Sequence, residues 1–184
     1  RDLENLPPRS PDSALQSAIL EANRVIVLRR QNPAFAQMGT TVVSALFLHP
    51  EVVIGHAGDS RAYLVRGGEI QQLTTDHTYV QGLVDKGQIK QEEALSHPEA
   101  HILTRCIGSE PGLVVDLHRY WIWPVEEQEP QDAIVLCTDG LYSQVSDAEV
   151  ARAVSTQSPQ RACASLVELA KDVALQAAAM KPLD

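Results

Sequence analysis

The chain has 184 residues, an apolar fraction of 44% and a formal net charge of −9, which fits one globular domain with a sizeable core. Its acidity argues against a nucleic-acid-binding protein, because contact with the phosphate backbone requires a basic face. No apolar stretch approaches the roughly 20 residues that span a bilayer. The three cysteines form no C-x-x-C pair, which predicts reduced, mostly buried thiols in a cytoplasmic protein.

The predicted elements place a strand-rich middle between helices. An amphipathic helix is predicted first, with Ser10 as its cap and Pro11 in its first turn. Strands are predicted at 41–48, 51–57, 61–66, 69–73, 113–118 and 132–138. Helices are predicted at 11–30, 76–86, 146–156 and 159–179. A Gly-Gly hairpin signal at 67–68 indicates antiparallel pairing, and such sheets cover their apolar faces with each other and with helices.

Two acids directly follow apolar strands. The continuous apolar run at 133–137 predicts a strand buried on both faces, and it leads to Asp139. Gly140 then predicts a sharp turn with close approach of the backbone to a ligand. Asp59 follows the apolar run at 52–57 in the same way. Two such acids meeting at one rim would suit a hard, oxygen-preferring cation, whereas ordinary aspartate turns are the alternative at both positions.

Seven short motifs follow one another through the middle of the chain. They are G-T-T-x-V-x-A-L at 39–46, G-D-S-R-x-Y at 58–63, L-T-x-D-H-T at 73–78, L-V-x-x-G-x-I at 83–89, E-E-A-x-x-H-P at 92–98, L-T-R-x-x-G at 103–108 and L-C-T-D-G-L at 136–141. In this order they resemble the metal-dependent serine/threonine protein phosphatases of type 2C, especially the compact bacterial members. The resemblance implies an α+β fold, a four-layer α/β/β/α sandwich of two antiparallel sheets flanked by helices.

The same resemblance implies a reaction and a set of metal ligands. The reaction is the hydrolysis of phosphoserine and phosphothreonine in proteins, by a metal-activated water and without a covalent enzyme intermediate. The expected cofactors are two Mn²⁺ or Mg²⁺ ions, with a third and weaker ion in bacterial members. Asp139, Gly140 and Asp184 are the expected metal-site residues, and Asp59 is the expected ligand of the third ion. Phosphorylated proteins are the expected substrates, and a serine/threonine kinase is an expected counterpart.

The region 76–108 is polar and poor in large apolar residues, which predicts weak packing. It matches a flap beside the catalytic cleft of the family. His101 lies where compact bacterial relatives have a histidine near the substrate, and a solvated surface histidine is the alternative. His77 is predicted to be structural and to close a turn. Three arginines are predicted to pair with surface acids rather than with phosphate: Arg61, Arg66 and Arg105.

Parts of the family pattern have no counterpart in these residues. The family's D-G-x-G-G loop, which supplies some of the metal-binding acids, is not found, and K-P-L-D stands where the family has G-x-D-N and a closing strand. We therefore expect the 184 residues to be the interior of a larger single phosphatase domain, weakly active or inactive by themselves. A catalytically inactive regulatory or binding module is the alternative. A D-G-x-G-G loop upstream of Arg1 would favour the enzyme.

Overall fold

The computed structural model describes residues 10–122 and 132–179. In chain order the elements are α1 (Pro11–Arg29), a 3-10 turn (Pro33–Phe35), β1 (Val42–Phe47), β2 (Glu51–Ala57), β3 (Arg61–Arg66), β4 (Glu69–Gln72), α2 (Tyr79–Asp85), α3 (Gln91–Ala94), β5 (Asp116–Trp121), β6 (Ala133–Cys137), α4 (Asp139–Tyr142), α5 (Asp147–Thr156) and α6 (Pro159–Ala179). They form two compact units: unit 1 comprises Arg1–Ser60 and Thr75–Ile122, and unit 2 comprises Arg61–Thr74 and Trp123–Asp184.

Helix α1 of unit 1 begins where the sequence predicts. The Ser10 hydroxyl accepts a hydrogen bond from the Ser13 N–H at 3.3 Å, and Pro11 opens the helix. This arrangement satisfies one of the free donors of the first turn. The helix packs its apolar face into a core formed by Ile19, Ala57, Ile107, Leu113 and Val115. Helix α1 is therefore an integral part of the hydrophobic core of unit 1.

The sheet of unit 1 has the order β1-β2-β5 and is antiparallel throughout. The sequence places its third strand at 113–118, whereas β5 spans Asp116–Trp121. The apolar residues Leu113 and Val115, which suggested the earlier start, are 5% and 7% exposed. They fill the core from the segment that precedes the strand. Their hydrophobicity thus predicts burial correctly and the strand boundary incorrectly.

The sheet of unit 2 has the order β4-β3-β6 and is also antiparallel. Gly67 and Gly68 have φ angles of +58° and +87° and join β3 to β4 in a two-residue loop, which confirms the predicted hairpin. The prediction that β6 is buried on both faces is wrong. Val135 packs against the helical core of unit 2, but Leu136, on the opposite face, is 42% exposed, because successive side chains of a strand point to opposite faces.

Helices α5 and α6 cover one face of this sheet. Their contact contains Val145, Val150, Ala153, Leu166 and Ala170. A capping box begins α5: the Ser146 N–H donates to the Glu149 carboxylate at 2.9 Å, and the Glu149 N–H donates to the Ser146 hydroxyl at 3.4 Å. Within the described residues, none of the helices has the length and apolar character required to cross a membrane.

The three cysteines are free thiols. Cys163 is exposed on α6, and Cys106 and Cys137 are half-buried. The prediction of mostly buried thiols is therefore wrong. The reason at Cys163 is helical periodicity: Ala162 and Leu166 take the buried positions of α6, and the side chain between them faces outward.

Candidate metal centre

Asp59 lies in a tight connection at the end of β2. Gly58, the residue before it, has a φ angle of +118°, and a Cβ atom there would lie 2.3 Å from the Thr41 side chain. A non-glycine side chain would therefore meet both backbone strain and a steric clash. The turn is closely packed on unit 1, and Asp59 itself is half-buried. The structure confirms that Asp59 follows the strand, as the sequence predicts.

His77 holds this turn from both sides. Its backbone N–H donates to the Gly58 carbonyl at 3.0 Å, and its ring Nδ1 accepts the Gly58 N–H at 3.1 Å. Both residues are buried, so water does not compete with these two hydrogen bonds. The predicted structural role of His77 is confirmed, although the turn that it closes is Gly58-Asp59 rather than its own.

The hydrogen bonds of His77 define its tautomer. Because Nδ1 accepts the Gly58 N–H, the neutral ring has its proton on Nε2, which donates to Asp116 Oδ2 at 3.1 Å. The other Asp116 oxygen accepts from Arg105 at 2.6 Å. Burial lowers the pKa of His77 despite the opposing hydrogen bond to Asp116. Burial alone would raise the pKa of Asp116, but the hydrogen bonds from His77 and Arg105 outweigh it, and the pKa is lowered. The pair is thus a neutral imidazole and a carboxylate.

His56 stacks on His77, with ring centroids 4.6 Å apart and an angle of 18° between the planes. Its Nε2 donates to the Thr75 carbonyl at 2.9 Å. Its Nδ1 is buried and has no hydrogen-bond partner among the described residues. Burial lowers the pKa of His56, which keeps the ring neutral. Sequence analysis assigned no role to His56, because its nearest partners lie far from it along the chain.

The ligand atoms of His56, His77 and Asp116 lie within 4.8 Å of one another, the spacing of a possible cation site among the described residues. The hydrogen bonds argue against an ion there. Both ring nitrogens of His77 are engaged, and an ion bound to all three side chains would break the bond to Gly58 or the bond to Asp116. We assign the two buried histidines and the half-buried Asp116 to support of the Asp59 turn.

Asp139 lies at the end of β6, where the sequence predicts it, and it opens the short helix α4. Its carbonyl accepts hydrogen bonds from the backbone and the hydroxyl of Ser143. The Asp139 side chain is exposed, so water solvates the carboxylate and leaves its oxygens accessible to an ion. Carboxylate oxygen is the ligand type that Mg²⁺ and Mn²⁺ prefer, and Asp139 therefore fits a metal centre.

The prediction that Gly140 makes a sharp, glycine-dependent turn is wrong. Gly140 is helical, and it is not among the glycines with positive φ. A Cβ atom there would meet Thr138 Oγ1 at 3.7 Å, an ordinary contact. The sharp change of direction after β6 is made by a helix start, which any residue can adopt. A ligand role for its backbone stays a prediction.

Arg61 supports α4 within unit 2. Its guanidinium lies 3.8 Å from the centroid of the Tyr142 ring and donates to the Tyr63 hydroxyl at 3.1 Å. Arg61 is 8% exposed, so these contacts are shielded from water, and its pairing with an acid stays a prediction. Burial raises the pKa of Tyr63 to about 12, which keeps the phenol neutral as an acceptor for Arg61.

The other two arginines bind acids, as the sequence predicts, although the Asp132 side chain is only 2% exposed and is not a surface acid. Arg66 makes two hydrogen bonds to Asp132, at 2.8 and 2.6 Å. Arg105 binds Asp116. Each of the two guanidinium groups is thus bound to a carboxylate.

His101 and Asp184 are the two remaining residues that the sequence predicts for the site. His101 is exposed and follows α3 in the region 76–108, and its role near the substrate stays a prediction. The prediction of weak packing for this region is wrong at three apolar positions, since Val80, Ala94 and Ile107 are buried. Asp184 lies outside the described residues, and its metal role stays a prediction.

Comparison with known proteins supports one family. The Protein phosphatase 2C model matches residues 2–81. The serine/threonine phosphatase stp of Listeria innocua is 39% identical over 137 residues, which cover 74% of this chain and 52% of that protein. The chain thus spans about half the length of the curated relatives that it matches.

Solved structures agree with this result. The serine/threonine phosphatase PstP/Ppp of Mycobacterium tuberculosis is similar with a TM-score of 0.79 and 33% identity, over 92% of this chain and 70% of that one. A structure of the PstP catalytic domain in complex with two manganese ions gives a TM-score of 0.74 at 31% identity, over 92% of this chain and 69% of that one. The chain belongs to the type 2C protein phosphatase family, and its predicted fold class is confirmed.

Proposed function

We propose that the protein containing these residues is a metal-dependent phosphatase that hydrolyses phosphoserine and phosphothreonine in proteins. The observation that supports this most strongly is the placement of Asp139. Its exposed carboxylate lies two residues after the end of β6, in the L-C-T-D-G-L motif. The surrounding chain is similar to a type 2C phosphatase bound to two manganese ions.

The acids of this chain suit hard divalent cations. Asp139 would hold Mn²⁺ or Mg²⁺ through a carboxylate oxygen, and Asp184 and the backbone of Gly140 would contribute to the same two-ion site. Asp59 would hold a third ion. When bound, such ions lower the pKa of a coordinated water, which supplies the nucleophile for hydrolysis of the phosphate ester.

The chain positions its ligands through the contacts described above. The two hydrogen bonds from Ser143 fix the first turn of α4, on which Asp139 lies. Arg61 packs on Tyr142 at the other end of the same helix. The exposed His101 is available to contact a phosphorylated substrate.

We further propose that phosphorylated proteins are the substrates and that a serine/threonine kinase acts in opposition. Relatives named serine/threonine phosphatase support the substrate class. The three free thiols support a reducing compartment, the cytoplasm.

The test is Mn²⁺-dependent release of phosphate from a phosphothreonine peptide by the full-length protein. Asp139→Ala should reduce kcat/KM by roughly 100-fold or more, because a metal ion contributes several kcal/mol to the transition state and each 1.36 kcal/mol is tenfold in rate. Chelation should remove the activity, and Mn²⁺ should restore it.

Asp172→Ala is the matched control. Asp172 is an exposed acid of α6 in the same unit, so its loss removes a carboxylate without touching α4. Equal activity of the Asp139→Ala variant and the wild-type protein would contradict the proposal, and so would full activity in excess chelator.

A further inference from the structure

Asp59 follows a residue whose backbone is tightly constrained. Gly58 is confined by its positive φ and by the Thr41 side chain. A small rotation at Gly58 would change the direction of the Asp59 carboxylate, and metal affinity is sensitive to such changes, since ligand distances vary by only about 0.2 Å. The contacts that hold Gly58 therefore bear on the direction of the Asp59 side chain.

His77 is the residue that holds Gly58. It accepts the Gly58 N–H on Nδ1 and donates its own N–H to the Gly58 carbonyl. The backbone bond can form with any residue except proline at 77, but the ring bond requires an acceptor at the position of Nδ1. The side chain thus adds a contact that only a few residue types can supply.

A chain of hydrogen bonds sets the state of that acceptor. Arg105 binds Asp116, and Asp116 accepts the Nε2 proton of His77, which leaves the Nδ1 lone pair directed at Gly58. His56 stacks on the ring and restricts its rotation. This is the arrangement by which outer residues orient a ligand in metal sites, except that here the histidine acts on the backbone beside the ligand.

We propose that His77 is a positioning residue for Asp59 in metal binding, acting through the Gly58 N–H. The inference rests on the proposed function of Asp59 as a metal ligand. His77 touches neither ion nor substrate. Its role is to present the Asp59 carboxylate in one orientation before an ion arrives.

Two substitutions of His77 distinguish the role of Nδ1 from that of Nε2. His77→Asn retains an oxygen near the position of Nδ1, which can accept the Gly58 N–H, but it cannot reach Asp116. His77→Gln retains a donor near the position of Nε2, which can reach Asp116, but it leaves the Gly58 N–H without its acceptor. Both variants lose the stacking on His56, so they form a matched pair.

The measurement is Mn²⁺ binding to the full-length protein. Electron paramagnetic resonance gives the concentration of free Mn²⁺, and the bound fraction follows by difference. Asp59→Ala should remove the weakest class of bound Mn²⁺. His77→Gln should weaken that class by about 10- to 100-fold, the usual effect of losing a residue that orients a ligand, and His77→Asn should retain most of the affinity. In the Asp59→Ala background, the two His77 variants should bind Mn²⁺ equally.

The outcomes separate this inference from the function on which it rests. If Asp59→Ala weakens binding but the two His77 variants behave alike, the positioning role is wrong and Asp59 remains a metal ligand. If Asp59→Ala leaves Mn²⁺ binding unchanged, the metal role of Asp59 is wrong and the inference falls with it. Phosphatase activity dependent on Asp139 would survive both results.

If the His77 variants fail to fold, the inference can still be tested on the unsubstituted protein. Nitrogen-15 NMR of the imidazole should show the proton of His77 on Nε2, and the Gly58 amide should exchange slowly with solvent. A proton on Nδ1 would overturn the inference, because the ring could then not accept the Gly58 N–H.

Discussion

The turns of Asp59 and Asp139 both follow a strand, but they are held in different ways. The Asp59 turn is fixed by hydrogen bonds to His77, 19 residues further along the chain, and by a glycine that cannot be replaced without a clash. The Asp139 turn is a helix start whose backbone hydrogen bonds join residues within 138–145. One acid is held by distant residues and the other mainly by its neighbours in sequence.

If Asp59 and Asp139 bind ions as proposed, the two acids should bind them differently. A buried turn with long-range hydrogen bonds restricts its carboxylate before binding, which reduces the entropy lost when an ion binds. The exposed Asp139 has more freedom and more water to displace. Mutations far from Asp59 in sequence should therefore affect its turn strongly, whereas Asp139 should respond mainly to changes within α4 and its support.

The largest expected effect is at Gly58. Gly58→Ala should lower the free energy of unfolding by about 3 kcal/mol or more, because backbone strain and overpacking each contribute about 1–3 kcal/mol. Urea unfolding of the full-length protein measures it. Gly67→Ala is the control, since Gly67 has a φ of +58° but no atom within 4 Å of a Cβ. Equal losses in the two variants would show that the Thr41 contact does not constrain the Asp59 turn.

Substitution of Arg61 tests whether a residue distant in sequence stabilises the Asp139 turn. Arg61→Met should destabilise the protein by about 2 kcal/mol, because the cation–π contact with Tyr142 and the hydrogen bond to Tyr63 are lost. Arg152→Met, at an exposed position of α5, is the control. Thermal unfolding compares the two. If the Arg61 variant is as stable as the control, Arg61 does not stabilise α4.

Low pH should destabilise the protein through His56 and His77, the histidines beside the Asp59 turn. The pKa values of His56 and His77 lie below their ordinary value of 6.5 in the folded protein, so the unfolded chain binds more protons in that range. Stability should fall as the pH drops below about 6.5, by at most about 1.4 kcal/mol per pH unit for each histidine. Urea midpoints from pH 7.5 to 5 measure this.

His56→Phe should flatten that profile, because the substitution removes one of the two titrating groups. His101→Gln should leave the profile unchanged, since His101 is exposed. An unchanged profile in the His56 variant would mean that this histidine does not contribute to the acid sensitivity.

The smallest expected effect is at Gly140. Gly140→Ala should leave stability unchanged or raise it by about 0.5–1 kcal/mol, because alanine is favoured over glycine in a helix and the added Cβ makes only an ordinary contact. Urea unfolding measures this change in stability, and the result is compared with that for Gly58→Ala. A loss as large as that at Gly58 would show that the Asp139 turn is as constrained as the Asp59 turn.

Sequence reasoning was most successful where the pattern is local. The cap at Ser10, the Gly67-Gly68 hairpin and the strand ends before Asp59 and Asp139 all follow from short runs of residue types. It failed at β5, because Leu113 and Val115 are as hydrophobic as strand residues but fill the core from a loop. Hydropathy reports burial, and a strand boundary depends also on pairing with β2.

The sequence by itself determined the family, the antiparallel pairing at the hairpin and the positions of the two acids at strand ends. Only the tertiary structure showed that His77 holds Gly58, that Arg61 lies on Tyr142 and that Gly140 is an ordinary helical residue. The physical reason is distance along the chain. Periodicity and turn chemistry act over a few residues, whereas the hydrogen bonds that orient Asp59 join segments that folding alone brings together.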